Sequence, residues 1–317
     1  MSSLNPDRST SGGYTPELDH EFFYALTPQE RDFLHQQTGI RDDGQLKEHL
    51  VAIQEKAYQV HPYSCIRRFA FTTLKIAGQP VYQDVLKLGK EREGAILLDI
   101  GCCFGNDLRK AVADGFPITG VIGSDLHKGE LDMPMEPSIP DSELGADFWD
   151  MGNDLYVAPF PVPFIEGDVF DAAHIEPTPP LYTPPSTPRP ALGTLTSLNP
   201  LRGHVSAIHA SSLFHLFDEA PQRKLAHALG ALLAPEPGSV IFGSHNGLRE
   251  RGFKTGARRA SVFCHSPESW AELWDGGVFE RGKVRVDAEI REHERRDPAK
   301  GDQPFVVLWL VWSVTRL

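Results

Sequence analysis

Ile96-Leu97-Leu98-Asp99-Ile100-Gly101-Cys102-Cys103-Phe104-Gly105 decides how this chain is read. The first five residues are an apolar run broken only by one acid. A parallel strand buried on both faces has this composition. The two glycines that follow permit a tight turn and let the backbone approach a ligand closely. Asn106 to Ala113 then reads as a helix closed by Gly115. In an α/β sheet, the turn beyond the carboxyl end of such a strand is where ligands bind.

The same alternation extends in both directions. A second run, Ile118 to Gly123, ends at Asp125, and Phe164 to Asp168 is a weaker third. Val205 to Ala210 is a fourth, Ser239 to Gly243 a fifth, with a helix from the Asp218 cap to Leu233 between them. Pro267 to Trp274 predicts a further helix. Lys283 to Ile290 and Phe305 to Thr315 read as strands joined by the charged loop His293 to Asp302. Strands alternating with helices predict an α/β, doubly wound sheet, and the last pair adds one antiparallel strand at its edge.

Residues 1–16 are expected to form a disordered arm, 17–92 a helical cap or lid, and 93–317 the sheet domain. Within the cap, Thr27-Pro28-Gln29-Glu30 reads as a helix start, and Leu46, Leu50, Ile53, Ala57 and Val60 share one helical face. A short helix is expected over Val81 to Leu88. Two long interruptions stand apart, His127 to Gly152 and the proline-dense 176–203. The second reads as an extended, solvated insertion whose loss leaves folding intact, a docking site for a proline-recognising partner being the sharper alternative.

The 317 residues carry 31 Lys and Arg against 43 Asp and Glu, a net charge of −12. Such a surface repels phosphate backbones and anionic membranes, so no nucleic-acid or membrane partner is expected. The four cysteines show no CxxC spacing, and no metal site is expected. The longest apolar run, Phe305 to Val314, is short of a membrane span, and the polar start lacks a secretory signal. A cytoplasmic, reducing compartment is the expected location.

A dinucleotide site wants G-x-G-x-x-G, whereas this turn is D-x-G-x-x-x-G, with an acid that repels a pyrophosphate. Asp99, Asp125 and Asp168 close three successive strands. They suit a ligand with an ammonium group, a ribose and an adenine amine, and S-adenosylmethionine has those parts. Leu126, Val169 and Phe170 flank the acids and can stack on adenine, ordinary core packing being the alternative. Each acid can equally be a plain cap.

The stretch Asp99 to Lys110 with Asp114-Gly115 resembles the fungal class I methyltransferases of polyketide and meroterpenoid biosynthesis. So do His209-Ala-Ser-Ser-Leu-Phe-His-Leu-Phe217, His61-Pro-Tyr-Ser-Cys-Ile66 and, more loosely, Phe148 to Tyr156. The resemblance covers roughly residues 20–315. It implies a Rossmann-like sheet of order 3-2-1-4-5-7-6, S-adenosylmethionine as donor and, often, methyl esterification of a small acid. The proline-rich insertion departs from that family.

On this footing Asp99, Gly101, Gly105, Asp125, Asp168, Leu126, Val169 and Phe170 are the donor-binding candidates. His209 and His215 are candidate bases or orienting groups for a small-molecule acceptor, and His245 and His265 are weaker ones. Tyr58, Tyr63, Phe69 and Phe71 are expected over the acceptor pocket, with core packing as the alternative. Arg109 can reach a carboxylate or pair with Asp107. A carboxylate acceptor needs no base, whereas a phenol, near pKa 10, profits from one. Methylation of a hydroxyl, and a protein that binds the donor without catalysis, are the alternative functions.

Overall fold

The structure, a computed structural model, describes residues 17–18, 20–60, 62–126, 148–255, 261–295 and 303–317. The expected N-terminal arm and most of the interruption at 127–152 lie outside them. Strands β1 (Leu97–Ile100), β2 (Val121–Asp125), β3 (Phe164–Glu166), β4 (Ala207–His209) and β5 (Val240–Asn246) follow in chain order. After them, β6 (Gly252–Thr255) and β7 (Ser261–Cys264) pair only with each other, and β8 (Val284–Arg295) and β9 (Phe305–Arg316) close the chain.

Seven strands form one sheet of order β3-β2-β1-β4-β5-β9-β8. Since β8 and β9 are its sixth and seventh strands, this is the order the resemblance implied. The first five are parallel, and β9 runs antiparallel to both neighbours. The antiparallel strand is therefore the penultimate one, with β8 outside it. The β6–β7 hairpin was not expected: Phe253 and Ser261 face water and only Phe263 and Cys264 are buried among its described side chains, so no buried alternation marks it.

The helices are α1 (Pro28–Thr38), α2 (Asp43–Val60), α3 (Ser64–Arg67), α4 (Tyr82–Glu91), α5 (Asn106–Ala113), α6 (Phe148–Leu155), α7 (Glu219–Leu232) and α8 (Pro267–Trp274). None among the described residues is long and apolar enough to cross a membrane. A reciprocal cap starts α1: Glu30 N–H donates to Thr27 Oγ1 (3.2 Å) and Thr27 N–H to Glu30 Oε2 (2.8 Å). In α2 the face read from spacing is the buried one at Leu46, Leu50, Ile53 and Ala57, while Val60 at its end is half-buried.

That face meets more than its own helices. Phe23, Leu34, Leu46, Leu50, Phe69 and Phe71 share a core with Phe104, from the turn after β1, and with Met151, Leu155 and Tyr156 of α6 and its end. The Phe71 and Phe104 rings stack with centroids 4.8 Å apart. Fully burying a side chain of this size stabilises by about 1.5–3 kcal/mol. The N-terminal helices are thus fixed to the turn that the first strand opens into.

The proline-rich stretch 176–203 is extended, as its composition requires, and mostly exposed, but it is anchored by a few buried side chains. Leu192, Leu198 and Leu201 enter the main core beside Ile96, Ile208 and Leu229. Arg189 Nε donates to Gly94 O (2.8 Å), Glu280 N–H to Tyr182 Oη (2.7 Å), and Arg316 to Leu181 O. Proline fixes the backbone and removes its donors. An extended strap can therefore cover helix and sheet ends without a hydrogen-bond ladder. Its leucines, at irregular intervals, carry no period for sequence reading to detect.

Candidate active site

The turn after β1 adopts left-handed backbone at Gly101 (φ +74°), Cys103 (+50°) and Gly105 (+70°). A Cβ on Gly105 would also stand 2.7 Å from the Trp149 ring. These angles come easily to glycine and at a cost to Cys103. Neighbouring strand ends hold the turn in place. Gly101 N–H donates to Ser124 O (2.8 Å), and Cys103 N–H to Asp125 Oδ2 (2.7 Å). Asp125 Oδ1 accepts from Leu126 N–H (2.8 Å). Asp125 is partly open to solvent, and Leu126 beside it is 39% exposed.

Asp99 is placed differently. Parallel pairing of β1 with β4 sets Asp99 directly beside His209. His209 Nδ1 lies 2.8 Å from Asp99 Oδ1, and both side chains are almost fully buried. The other ring nitrogen, Nε2, is 2.7 Å from Ser211 Oγ, which accepts from Ser244 N–H (3.1 Å). Asp107, also buried, accepts from Ile76 N–H (2.9 Å). The acids and the ring bring three ligand-type atoms within 4.8 Å of one another. Both nitrogens of His209 are committed, and when protonated the ring carries positive charge beside the two acids.

Burial opposes a charge on His209, but the adjacent Asp99 carboxylate overcomes it, and Asp107 adds to the effect. The pKa is held above the ordinary histidine value. Burial, assisted by Asp99, raises Asp107, although the charges of His209 and Lys75 oppose that rise.

The other candidate histidines, His215, His245 and His265, are made poor bases by burial. Removal from water is the main cause that pushes His215 down to about 4, and the charges of Lys75, Arg295 and Lys254 add to it. His245 accepts a hydrogen bond at Nδ1 from Trp312 Nε1–H (3.0 Å), so its own proton sits on Nε2. Burial, with His215 and His265 nearby, holds it well below the usual range. Burial likewise takes His265 down to about 4.

Asp168 Oδ1 accepts from Phe170 N–H (2.8 Å), which closes a turn just past β3. Val169 and Phe170 lie against the main core, Phe170 edge-on to Phe217 at 4.8 Å. A Cβ on Gly167 would fall 2.2 Å from His174 Nδ1, whose ring bonds Ser124 Oγ (3.0 Å). This contact ties the turn to the end of β2.

The aromatic candidates divide. Tyr63 is partly exposed, 6.0 Å from the Phe148 ring, whereas Phe69 and Phe71 are buried in the N-terminal core and Tyr58 packs against it. Arg109 points toward the end of α6. It donates to Asn153 Oδ1 (2.9 Å) and Ala158 O (3.0 Å) and lies over the Tyr156 and Phe160 rings. It clamps two helices together, and Asp107 turns instead to Ile76.

Sequence reading did not single out Lys75, Gln79 or Ser211. The segment 73–79 has no period and no motif, so only the fold reveals where it lies. Ser211 follows His209 by two positions, and its role needs the β4–β5 pairing to be seen.

The sheet order and the glycine turn at the end of β1 define a Rossmann-like, class I methyltransferase fold. Over residues 18–72 the chain matches the family described as the meroterpenoid methyltransferase N-terminal domain. The O-methyltransferase phiE of a fungal species is 31% identical over 254 residues, which span 79% of this chain and 71% of that protein. The asnovolin E/chermesin D methyltransferase nvfJ of Aspergillus novofumigatus is 27% identical over 279 residues, 86% of this chain and 83% of that one. A solved structure of the 1,6-didemethyltoxoflavin-N1-methyltransferase of Burkholderia thailandensis aligns with a TM-score of 0.45 at 13% identity, covering 84% of this chain and 89% of that one. The chain belongs to the S-adenosylmethionine-dependent methyltransferases of fungal secondary metabolism that phiE and nvfJ represent.

Proposed function

We propose that this methyltransferase esterifies a carboxylate of a polyketide or terpenoid acid. What supports the reading is the burial of the histidines on the acceptor side: burial, with the charges of Lys75, Arg295 and Lys254 adding to it, pushes His215 down to about 4. A base this weak accepts a proton from a phenol near pKa 10 with an equilibrium constant of about 10⁻⁶, roughly 8 kcal/mol uphill. His245 is weaker still than an ordinary histidine, and His209 has no free nitrogen. A carboxylic acid is already ionised at neutral pH and needs none of them. It is also drawn toward cations on a protein that is acidic overall.

The donor candidates fit an S-adenosyl group by their chemistry. The glycine turn offers close backbone approach, the half-open Asp125 carboxylate offers acceptors for ribose hydroxyls, and Leu126, Val169 and Phe170 offer apolar surface near Asp168. Asp99 contributes from behind, by fixing and charging His209. When bound, the donor supplies an electrophilic methyl group on a sulfonium sulfur. The protein's own task is to hold the acceptor oxygen in line and keep water out, and positioning alone can supply most of the acceleration.

Asp125→Ala removes both the ribose acceptor and the brace on Cys103 N–H. Affinity for S-adenosylhomocysteine, measured by calorimetry, is expected to fall tenfold or more, about 1.4 kcal/mol. Unchanged affinity removes Asp125 from the donor site. The esterification itself is tested with labelled donor and a panel of aromatic and terpenoid acids beside their phenolic analogues. Alkaline hydrolysis is expected to release the label as methanol. A label that resists hydrolysis identifies an ether and sinks the carboxylate reading.

A further inference from the structure

Residues 73–79 cross the carboxyl ends of the strands and are pinned there by their neighbours. Asn106 Nδ2 donates to Thr73 O (2.8 Å), and Ile76 N–H to Asp107 Oδ1 (2.9 Å). Gln79 Nε2 donates to Ser244 Oγ (3.3 Å), and Ser244 N–H leads on to Ser211 and so to His209. Lys75 stands inside this pinned stretch, its carbonyl taken by Gly78 N–H (3.2 Å) and approached by Gln79 Nε2 (3.3 Å).

The backbone of Lys75 is therefore held at the site while its ammonium has, among the described residues, no hydrogen bond or ion pair. Its charge acts on Cys103 of the glycine turn, on Asp107 of α5, on His209 at the end of β4 and on His215 beyond it. The hydrogen bonds of 73–79 to Asn106, Asp107 and Ser244 place Lys75 between the start of α5, just past the donor turn, and the end of β5. Arg295 and Lys254 approach His215 from β8 and β6. Lys75 is half-buried, and an anionic ligand would supply the ion pair that the described residues do not.

We propose that Lys75 receives a ligand carboxylate in this site. Two ligands carry one, the methionyl end of the donor and the acid to be methylated. The acceptor half of the proposal rests on the esterification reading above, and the donor half stands without it. Lysine suits either ligand, because a compact point charge can engage one carboxylate oxygen and leave the other open, whereas a guanidinium fork covers both.

The test uses the full chain with Lys75→Met and Lys75→Gln, each first checked for an unchanged thermal midpoint. Calorimetry compares S-adenosylhomocysteine with its decarboxylated analogue, and steady-state kinetics give KM for an acid accepted by the wild type. A tenfold or larger loss of S-adenosylhomocysteine affinity, with the decarboxylated analogue unaffected, assigns Lys75 to the donor. Unchanged S-adenosylhomocysteine affinity with a tenfold or larger rise in KM assigns it to the acceptor. Either result supports the proposal. Equal losses for both nucleosides mark a merely structural lysine and overturn it. So does unchanged nucleoside affinity combined with an unchanged KM, or with no acid accepted at all. If the wild type makes no ester, the esterification reading fails by itself, and the nucleoside comparison still decides Lys75.

Discussion

Replacing His209 by alanine is expected to lower the unfolding free energy by about 3–5 kcal/mol, the usual cost of breaking a buried ion pair from one side. The variant leaves Asp99 and Asp107 buried without the cation between them, and leaves Ser211 without the ring it bonds. The double variant Asp99→Asn/His209→Ala is expected to recover part of the loss, since one uncompensated acid is gone. The shortfall from additivity measures the coupling. Urea midpoints of the four proteins of this cycle supply the data. A single variant as stable as the wild type would falsify the view of His209 as the local counter-charge.

The same pair has a pH signature. The folded pKa of His209 lies above its unfolded value of 6.5. Its contribution is therefore complete below about pH 6.5 and is lost as pH rises through the folded value. Wild-type stability is expected to decline over that alkaline window, and His209→Ala is expected to lack this component. Urea midpoints taken at intervals from pH 6 to 10 separate the two profiles.

Deleting residues 178–200 is expected to abolish folding. The deletion removes Leu192 and Leu198, which are 5% and 0% exposed in the main core. Truncating one buried leucine to alanine commonly costs about 2–5 kcal/mol. Losing two of them, together with the Tyr182 and Arg189 hydrogen bonds, consumes most of the 5–15 kcal/mol that stabilises a typical domain. Circular dichroism and soluble yield read the outcome directly. A deletion variant with a native-like melting transition would show that these leucines fill no essential space.

Local patterns in the sequence carried much of the architecture. The run from Ile96 to Ile100, the cap at Thr27 and the spaced leucines of α2 each encode their element within a few residues. Helix α8 was read from its proline start, and the strand ends that carry Asp99, Asp125 and Asp168 followed from apolar runs. The engagement of Asp99 was not legible, because its partner lies 110 residues away and appears only when β1 pairs with β4. Arg109 was read as reaching a carboxylate or pairing with Asp107, whereas two aromatic rings and two oxygens near α6 hold it. The proline strap misled for a different reason: proline content reports backbone shape, whereas burial is decided by the leucines between.

The stack of Phe71 on Phe104 has a consequence for engineering within this family. The N-terminal helices and the glycine turn after β1 rest on a shared aromatic floor, and α6 supplies its third side. Grafting only the first seventy or so residues from a relative would set foreign side chains against a native Phe104. A chimera meant to change acceptor preference should therefore carry α6 and the glycine turn across as one block.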